Sequence, residues 1–175
     1  MKKVRIGVLG AYRGTSMINY CKRADHAEVV AICDKSPEAL DAQRAAAEGL
    51  DIAFYERFDD FIEHDMDAVV LANYANEHVP YAIRLLKSGR HVMSEVLPCQ
   101  TLKEAVELVE AVENTVIVSD YIFSDAESYD KSTQLFRKAL AEIGNSIAAY
   151  ADIVMEMNYG IPTIHKGKQI YETVF

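Results

Sequence analysis

The chain has 175 residues, 50% hydrophobic and 26% charged, the balance of a soluble globular protein. Its net charge of −9 argues against nucleic acid and acidic membranes as partners, and no apolar stretch reaches the roughly 20 residues of a membrane helix. Cys21, Cys33 and Cys99 form no Cys-x-x-Cys pair and are odd in number, and the N-terminal apolar run is too short for a signal peptide, so a cytoplasmic location is expected.

In chain order, Val4 to Leu9 reads as a buried strand and Thr15 to Ala24 as a helix with Met17, Ile18 and Cys21 on one face. The turn between them completes GVLGAYRG, residues 7–14. A dinucleotide-binding turn uses glycines to bend tightly and approach a pyrophosphate, which the following helix meets with its amides and positive dipole end. Gly10 and Gly14 supply the bend and the helix entry. Tyr12 stands near the place of the middle glycine, and the loop is one residue short of the usual spacing. Glu28 to Cys33 is a second strand, and Asp34 follows at its tip, about 20 residues past the turn, where an acid receives the adenosine ribose hydroxyls. Asp34 repels a 2′-phosphate and favours NAD; Lys35 and Arg13 offset that repulsion, so NADP is not excluded. The plain alternative is a tight strand-to-helix connection with Asp34 capping the next turn.

Ser36 and Pro37 start a second helix that runs through an alanine-rich stretch to a stop at Gly49. A short strand near residues 52–54, a short helix near 57–63 and a continuous apolar strand at 67–72 follow. Asn76 to Lys87 reads as a helix with Val79, Ala82, Ile83 and Leu86 inward, and His91 to Ser94 as a buried strand. Thr101 and Glu104 form a capping box for a helix carrying Ala105, Leu108, Val109 and Val112, and Val116 to Val118 reads as a further strand. Five strand-then-helix units predict an α/β fold with a doubly wound parallel sheet. After Asp120 the rhythm changes. Lys131 to Ala141 reads as a helix, Ile147 to Met155 as part of an antiparallel sheet, and the tail as the start of a second α/β domain. The expected division is residues 1–120 and 121–175.

Residues 67–113 strongly resemble the glucose–fructose oxidoreductase / inositol dehydrogenase / rhizopine-catabolism (Gfo/Idh/MocA) family. The resemblance lies in Ala72-Asn73-Tyr74-Ala75-Asn76-Glu77-His78, in Gly89-Arg90-His91-Val92 and in Ser94-Glu95-Val96-Leu97-Pro98. It implies an N-terminal NAD(P)-binding Rossmann domain and a second domain that carries much of the substrate site and the oligomer interface. Family members transfer hydride between NAD(P) and a sugar or cyclitol hydroxyl. Val96 stands at or beside the lysine of the family's Glu-Lys-Pro motif, and valine neither donates a hydrogen bond nor transfers a proton. Most of the second domain is absent from this chain.

The expected cofactor contacts are Gly10, Tyr12, Arg13, Gly14, Asp34, Lys35, Asn73, Tyr74, His78 and Glu95, with Glu95 and His78 also the catalytic candidates. The plain readings are His78 as a solvent-facing first-turn residue and Glu95 as a solvated strand end; outside this set, Tyr121 reads as a residue at the edge of the cleft or a packed aromatic, His91 as structural, and His165 as a mimic of a second-domain base or an exposed loop residue. No metal-ligand spacing occurs, and none is expected to bind. Three readings follow. The chain is the cofactor half of a family oxidoreductase with low activity by itself, a separate nucleotide-binding module, or an interaction domain that has lost the cofactor. Under the first, the partners are the dinucleotide and a small-molecule substrate only where a second domain is supplied. Uncovered apolar residues in IAAYADIVM predict a homo-oligomer.

Overall fold

The computed structural model describes residues 2–94, 99–112, 114–118 and 127–174. They divide into two units, Met1–Thr115 and Val116–Phe175.

The first unit is built on five parallel strands: β1 (Val4–Leu9), β2 (Ala27–Cys33), β3 (Ala53–Tyr55), β4 (Ala68–Leu71) and β5 (His91–Ser94). Their order across the sheet is β3-β2-β1-β4-β5. The chain winds outward from β1 to β3, returns, and winds the other way through β4 and β5. The order therefore reverses between β1 and β4, which opens a crevice at the carboxyl ends of these strands.

Side-chain alternation builds two cores, one on each sheet face. Val8 and Ile32 point to one face, where they meet Ile18 of α1 (Thr15–Cys21) and Leu40 of α2 (Pro37–Ala46). Leu9 and Cys33 point to the other, against Phe58 and Phe61 of α3 (Phe58–Phe61) and Ala82 and Leu85 of α4 (His78–Lys87). Phe61, Ile18, Leu40 and Leu85 are fully buried, so cutting any of them to alanine costs about 2–5 kcal/mol. Ser36 caps α2 by accepting the Ala39 N–H at 3.2 Å, with Pro37 in the first turn. Thr101 and Glu104 form the expected capping box on α5 (Leu102–Glu110).

Several expectations need correction. Helix α4 begins at His78, after a 3-10 turn at Ala75–Glu77; its buried residues are His78, Val79, Ala82 and Leu85, while Ile83 and Leu86 are half-buried. Helix α1 stops at Cys21, short of Ala24. Among the described residues β5 pairs only with β4, and it alternates exposed with half-buried, so His91 does not open a buried strand. Val109 of α5 is 58% exposed. Val116 to Val118 form no strand: they lie without a ladder partner among the described residues, and Val116 is 89% exposed. A β-branched run is a strand only where a neighbour accepts its backbone.

In the second unit α6 (Lys131–Tyr150) runs well past Ala141, so Ile147 to Tyr150 are helical rather than extended. Asp130 caps it by accepting the Ser132 and Thr133 N–H groups at 2.9 and 3.1 Å, and bonds from the Ser132 and Thr133 hydroxyls, with these backbone bonds, hold its carboxyl well below the usual range. The antiparallel pairing is present but shorter than expected, between β6 (Val154–Asn158) and β7 (Ile161–Lys166). The tail folds as α7 (Lys168–Val174). Tyr159 and Gly160, with φ of 53° and 81°, make the tight turn between the two strands.

Candidate functional site

Three loops meet at the carboxyl ends of β1, β2 and β4. Gly10, the first residue after β1, has φ +105° and donates its N–H to the Cys33 carbonyl at 2.8 Å. A Cβ here would lie 2.5 Å from the Ala72 carbonyl carbon and oxygen and 2.6 Å from the Asn73 nitrogen. Glycine is thus required twice, by the backbone angle and by the main chain pressed against it. Gly14 has an ordinary φ of −68°, but a Cβ there would overlap Val8 and stand 2.6 Å from the Gly10 oxygen. The two glycines let the turn lie flat on the end of the sheet.

Tyr12, at the place of the missing glycine, is 84% exposed. Arg13 is exposed beside it. Among the described residues the N–H groups of Tyr12 and Arg13 have no acceptor, and the Arg13 guanidinium has no carboxylate partner. The turn is braced from below: the Thr15 hydroxyl reaches the Tyr12 carbonyl at 2.8 Å, and buried Gln43 donates to the Ala11 carbonyl at 3.1 Å and to Thr15 Oγ1 at 2.9 Å.

Asp34 is half-buried and tied to both neighbouring loops. Its Oδ2 accepts the Ala11 N–H at 2.7 Å and its Oδ1 the Ser36 N–H at 2.9 Å. These bonds fix the carboxylate between the two loops while leaving lone pairs to accept further donors. Lys35 Nζ donates to Glu77 Oε1 at 2.7 Å. That bond, and the charges and hydroxyl around it, raise the Lys35 pKa. Burial, with Asp34 and Asp60 nearby, pushes the Cys33 thiol up to about 12 and leaves it unreactive. Beside Lys35 a cleft of about 310 Å³ is lined by Cys33, Phe58, Tyr81 and Arg84, among others.

The β4 side differs from the plain expectation for His78. Its ring is fully buried rather than solvent-facing. Nε2 lies 3.2 Å from the Asn73 carbonyl and Nδ1 2.8 Å from Ser94 Oγ. A carbonyl only accepts, so Nε2 carries the proton, and both ring nitrogens are engaged. His78 therefore fastens the β4 loop to the end of β5. Asn73 is half-buried; its Nδ2 reaches Glu77 Oε2 at 3.4 Å, and its Oδ1 is buried without a partner among the described residues. Tyr74 is 77% exposed at the rim. Glu95, Val96 and Tyr121 lie outside the described residues.

The structure thus brings Gly10, Gly14, Asp34, Lys35, Asn73 and His78 to one end of the sheet. Sequence reasoning missed Gln43, Glu77 and Ser94. Gln43 alone left a signal, a polar residue three positions after buried Leu40 on the inward helix face. Among the described residues, no cluster of His, Cys, Asp and Glu could hold a metal ion, and no helix is long and apolar enough to cross a membrane.

A family model described as the Gfo/Idh/MocA oxidoreductase family, NAD-binding Rossmann fold, matches residues 4–119. The chain belongs to this family. Its first unit is the family's NAD-binding Rossmann domain, in the strand order and with the switch-point crevice described above. Solved structures agree. The WlbA dehydrogenase of Bordetella pertussis, solved with NADH and UDP-GlcNAcA, is 32% identical with a TM-score of 0.58, the match covering 63% of this chain and 33% of that one. The scyllo-inositol dehydrogenase of Lactobacillus casei, solved with NAD(H) and scyllo-inositol, is 25% identical with a TM-score of 0.56, over 63% of this chain and 33% of that one. A glycosyl hydrolase family 109 protein of Shewanella pealeana is 30% identical over 124 residues, 66% of this chain and 27% of the relative. This Gfo/Idh/MocA chain spans about a quarter to a third of the length of the relatives it matches.

Proposed function

We propose that this chain holds NAD(H) for a Gfo/Idh/MocA-type oxidation or reduction of a sugar or cyclitol hydroxyl. The observation that carries the reading is the Asp34 carboxylate, oriented by two backbone bonds at the rim of a flat glycine turn. The residues present fit the dinucleotide. Its pyrophosphate would take the open N–H groups of Tyr12 and Arg13 and the Arg13 guanidinium. Its adenosine ribose would donate to Asp34, and a hydroxyl or amide donor would satisfy the buried Asn73 Oδ1. Tyr74 and His78 would wall and brace the β4 side, with Glu95 near the nicotinamide. When bound, the nicotinamide supplies the hydride acceptor or donor. A ribose hydroxyl rather than a 2′-phosphate suits Asp34, which makes NAD the preferred form.

We place the cofactor domain at residues 1–120 and the beginning of the substrate and oligomerisation domain at 121–175. The exposed apolar stripe Phe136, Ile143 and Ile147 on α6 supports self-association, and the three free cysteines support a cytoplasmic location. A second reading rests on the family 109 relative: the same bound NAD would serve glycoside cleavage, since NAD-dependent glycosidases exist. Calorimetric titration with NADH tests what both readings share. The expected result is saturable binding that weakens about tenfold or more in Asp34→Ala, the scale of a hydrogen bond to a charged group. Binding unchanged by that substitution would remove the ribose assignment. No binding at millimolar NADH would leave only the interaction-domain reading.

A further inference from the structure

The Lys35–Glu77 pair sits where it bears on which dinucleotide enters. Lys35 follows β2 and Glu77 follows β4, and these strands flank β1 in the sheet. Their 2.7 Å contact therefore joins the two loops on either side of the Gly10 turn. The partners are 42 residues apart in sequence, so the fold and not a local turn brings them together. Glu77 is also steadied by Asn73 Nδ2 at 3.4 Å. Lys35 is the residue next to Asp34, and its charge is what would offset the Asp34 repulsion toward a 2′-phosphate. In this structure that charge is already spent on a carboxylate.

Resting on the NAD-binding reading above, we propose that Glu77 is a selectivity residue for the adenosine end of the cofactor. By pairing with Lys35 it withholds from a 2′-phosphate the cation on the loop that carries Asp34, and so keeps the site for a dinucleotide with a free 2′-hydroxyl. Glu77 acts through Lys35 and touches no reacting atom. A 2′-phosphate then meets the Asp34 carboxylate with the Lys35 charge already neutralised. A purely structural role for the pair would change the binding of both dinucleotides together. A selectivity role changes their ratio.

The test measures dissociation constants of NADH and NADPH, side by side, for the full chain and for Glu77→Gln, Lys35→Ala and the double variant, with circular dichroism to confirm the fold. Glu77→Gln is expected to tighten NADPH relative to NADH by about fivefold at low salt, with the gain shrinking as salt screens it. Adding Lys35→Ala is expected to erase that gain. Lys35→Ala alone is expected to leave the ratio within about twofold, because the paired lysine contributes little to begin with. Glu77→Ala carries the same test, with the same expected rise in the NADPH preference, if Glu77→Gln does not fold. Both dinucleotides binding with an unmoved ratio in Glu77→Gln would overturn the proposal, as would a gain that survives in the double variant. Neither dinucleotide binding to any form would overturn the cofactor reading itself, and this inference with it.

Discussion

Gly10→Ala probes the turn most directly, and its two neighbours in behaviour separate the causes. At Gly10 the substitution must accept φ +105° and place a Cβ 2.5 Å from the Ala72 carbonyl, a main-chain group with no room to rotate away. Backbone strain of this kind costs about 1–3 kcal/mol, and forced overlap costs about 1–3 kcal/mol more. Gly49 has φ +83° with nothing within 4 Å, so Gly49→Ala pays the strain alone. Gly14 has φ −68°, so Gly14→Ala pays the overlap alone. Each replacement regains about 0.4–1 kcal/mol by stiffening the unfolded chain. The expected order is therefore Gly10→Ala as the most damaging, at about 3 kcal/mol, and Gly49→Ala and Gly14→Ala at about 1–2 kcal/mol each. Urea unfolding followed by circular dichroism reads this as a fall in midpoint at constant slope, about 1–3 M for the first. NADH titration is expected to show loss of binding in Gly10→Ala and Gly14→Ala and none in Gly49→Ala. A Gly10→Ala protein no less stable than Gly49→Ala would refute the claim that the β1 turn is pressed against the end of β4.

Two further outcomes are expected. His64 has its pKa lowered by burial and by Arg5 and Arg90, with Asp51 opposing, so the fold prefers the neutral ring. The unfolded chain takes up the proton near 6.5, so this contribution is present above that pH and is lost as the solution is acidified toward the folded value. His64→Gln is expected to flatten that part of the stability–pH curve, and an unchanged slope would show that His64 is not its source. In the second unit, Phe136, Leu140, Ile143 and Ile147 follow one another at helical spacing along α6. Light scattering is expected to show a dimer or larger species that Ile143→Glu dissociates; a monodisperse monomer for the unaltered chain would contradict self-association.

What could be read from the residues was what depends on near neighbours. Strand β1, its glycine turn, helix α1, strand β2 and Asp34 follow in one short run, and each part carries its own chemical mark. The Thr101–Glu104 box is equally local. The Lys35–Glu77 pair left no such mark, because it exists only once β2 and β4 are laid on either side of β1. His78 went the same way: its bond to Ser94 forms only once β5 lies beside β4. Val116 to Val118 misled for the opposite reason, since high β-propensity describes a side chain's fitness for a sheet and not the presence of a partner strand. Ile147 to Tyr150 were ambiguous in principle. IAAY fits a half-buried strand, yet Ile147 also lies four residues after Ile143 and continues the stripe of α6.

The geometry also separates holding the cofactor from moving a proton. Everything the described residues offer at the crevice suits an anion or a hydroxyl: open amides at Tyr12 and Arg13, a fixed acceptor at Asp34, an unpartnered oxygen on Asn73. The imidazole closest to this edge is consumed on both nitrogens, and Cys33 is held protonated by its surroundings. A group with no free site and a group that does not ionise near neutrality make poor general acids or bases. Substitutions at Asp34 or Gly14 should therefore act on dinucleotide affinity, while His78→Ala should act first on stability, through the loosened joint between the β4 loop and β5. That division follows from which lone pairs and protons the fold has already used.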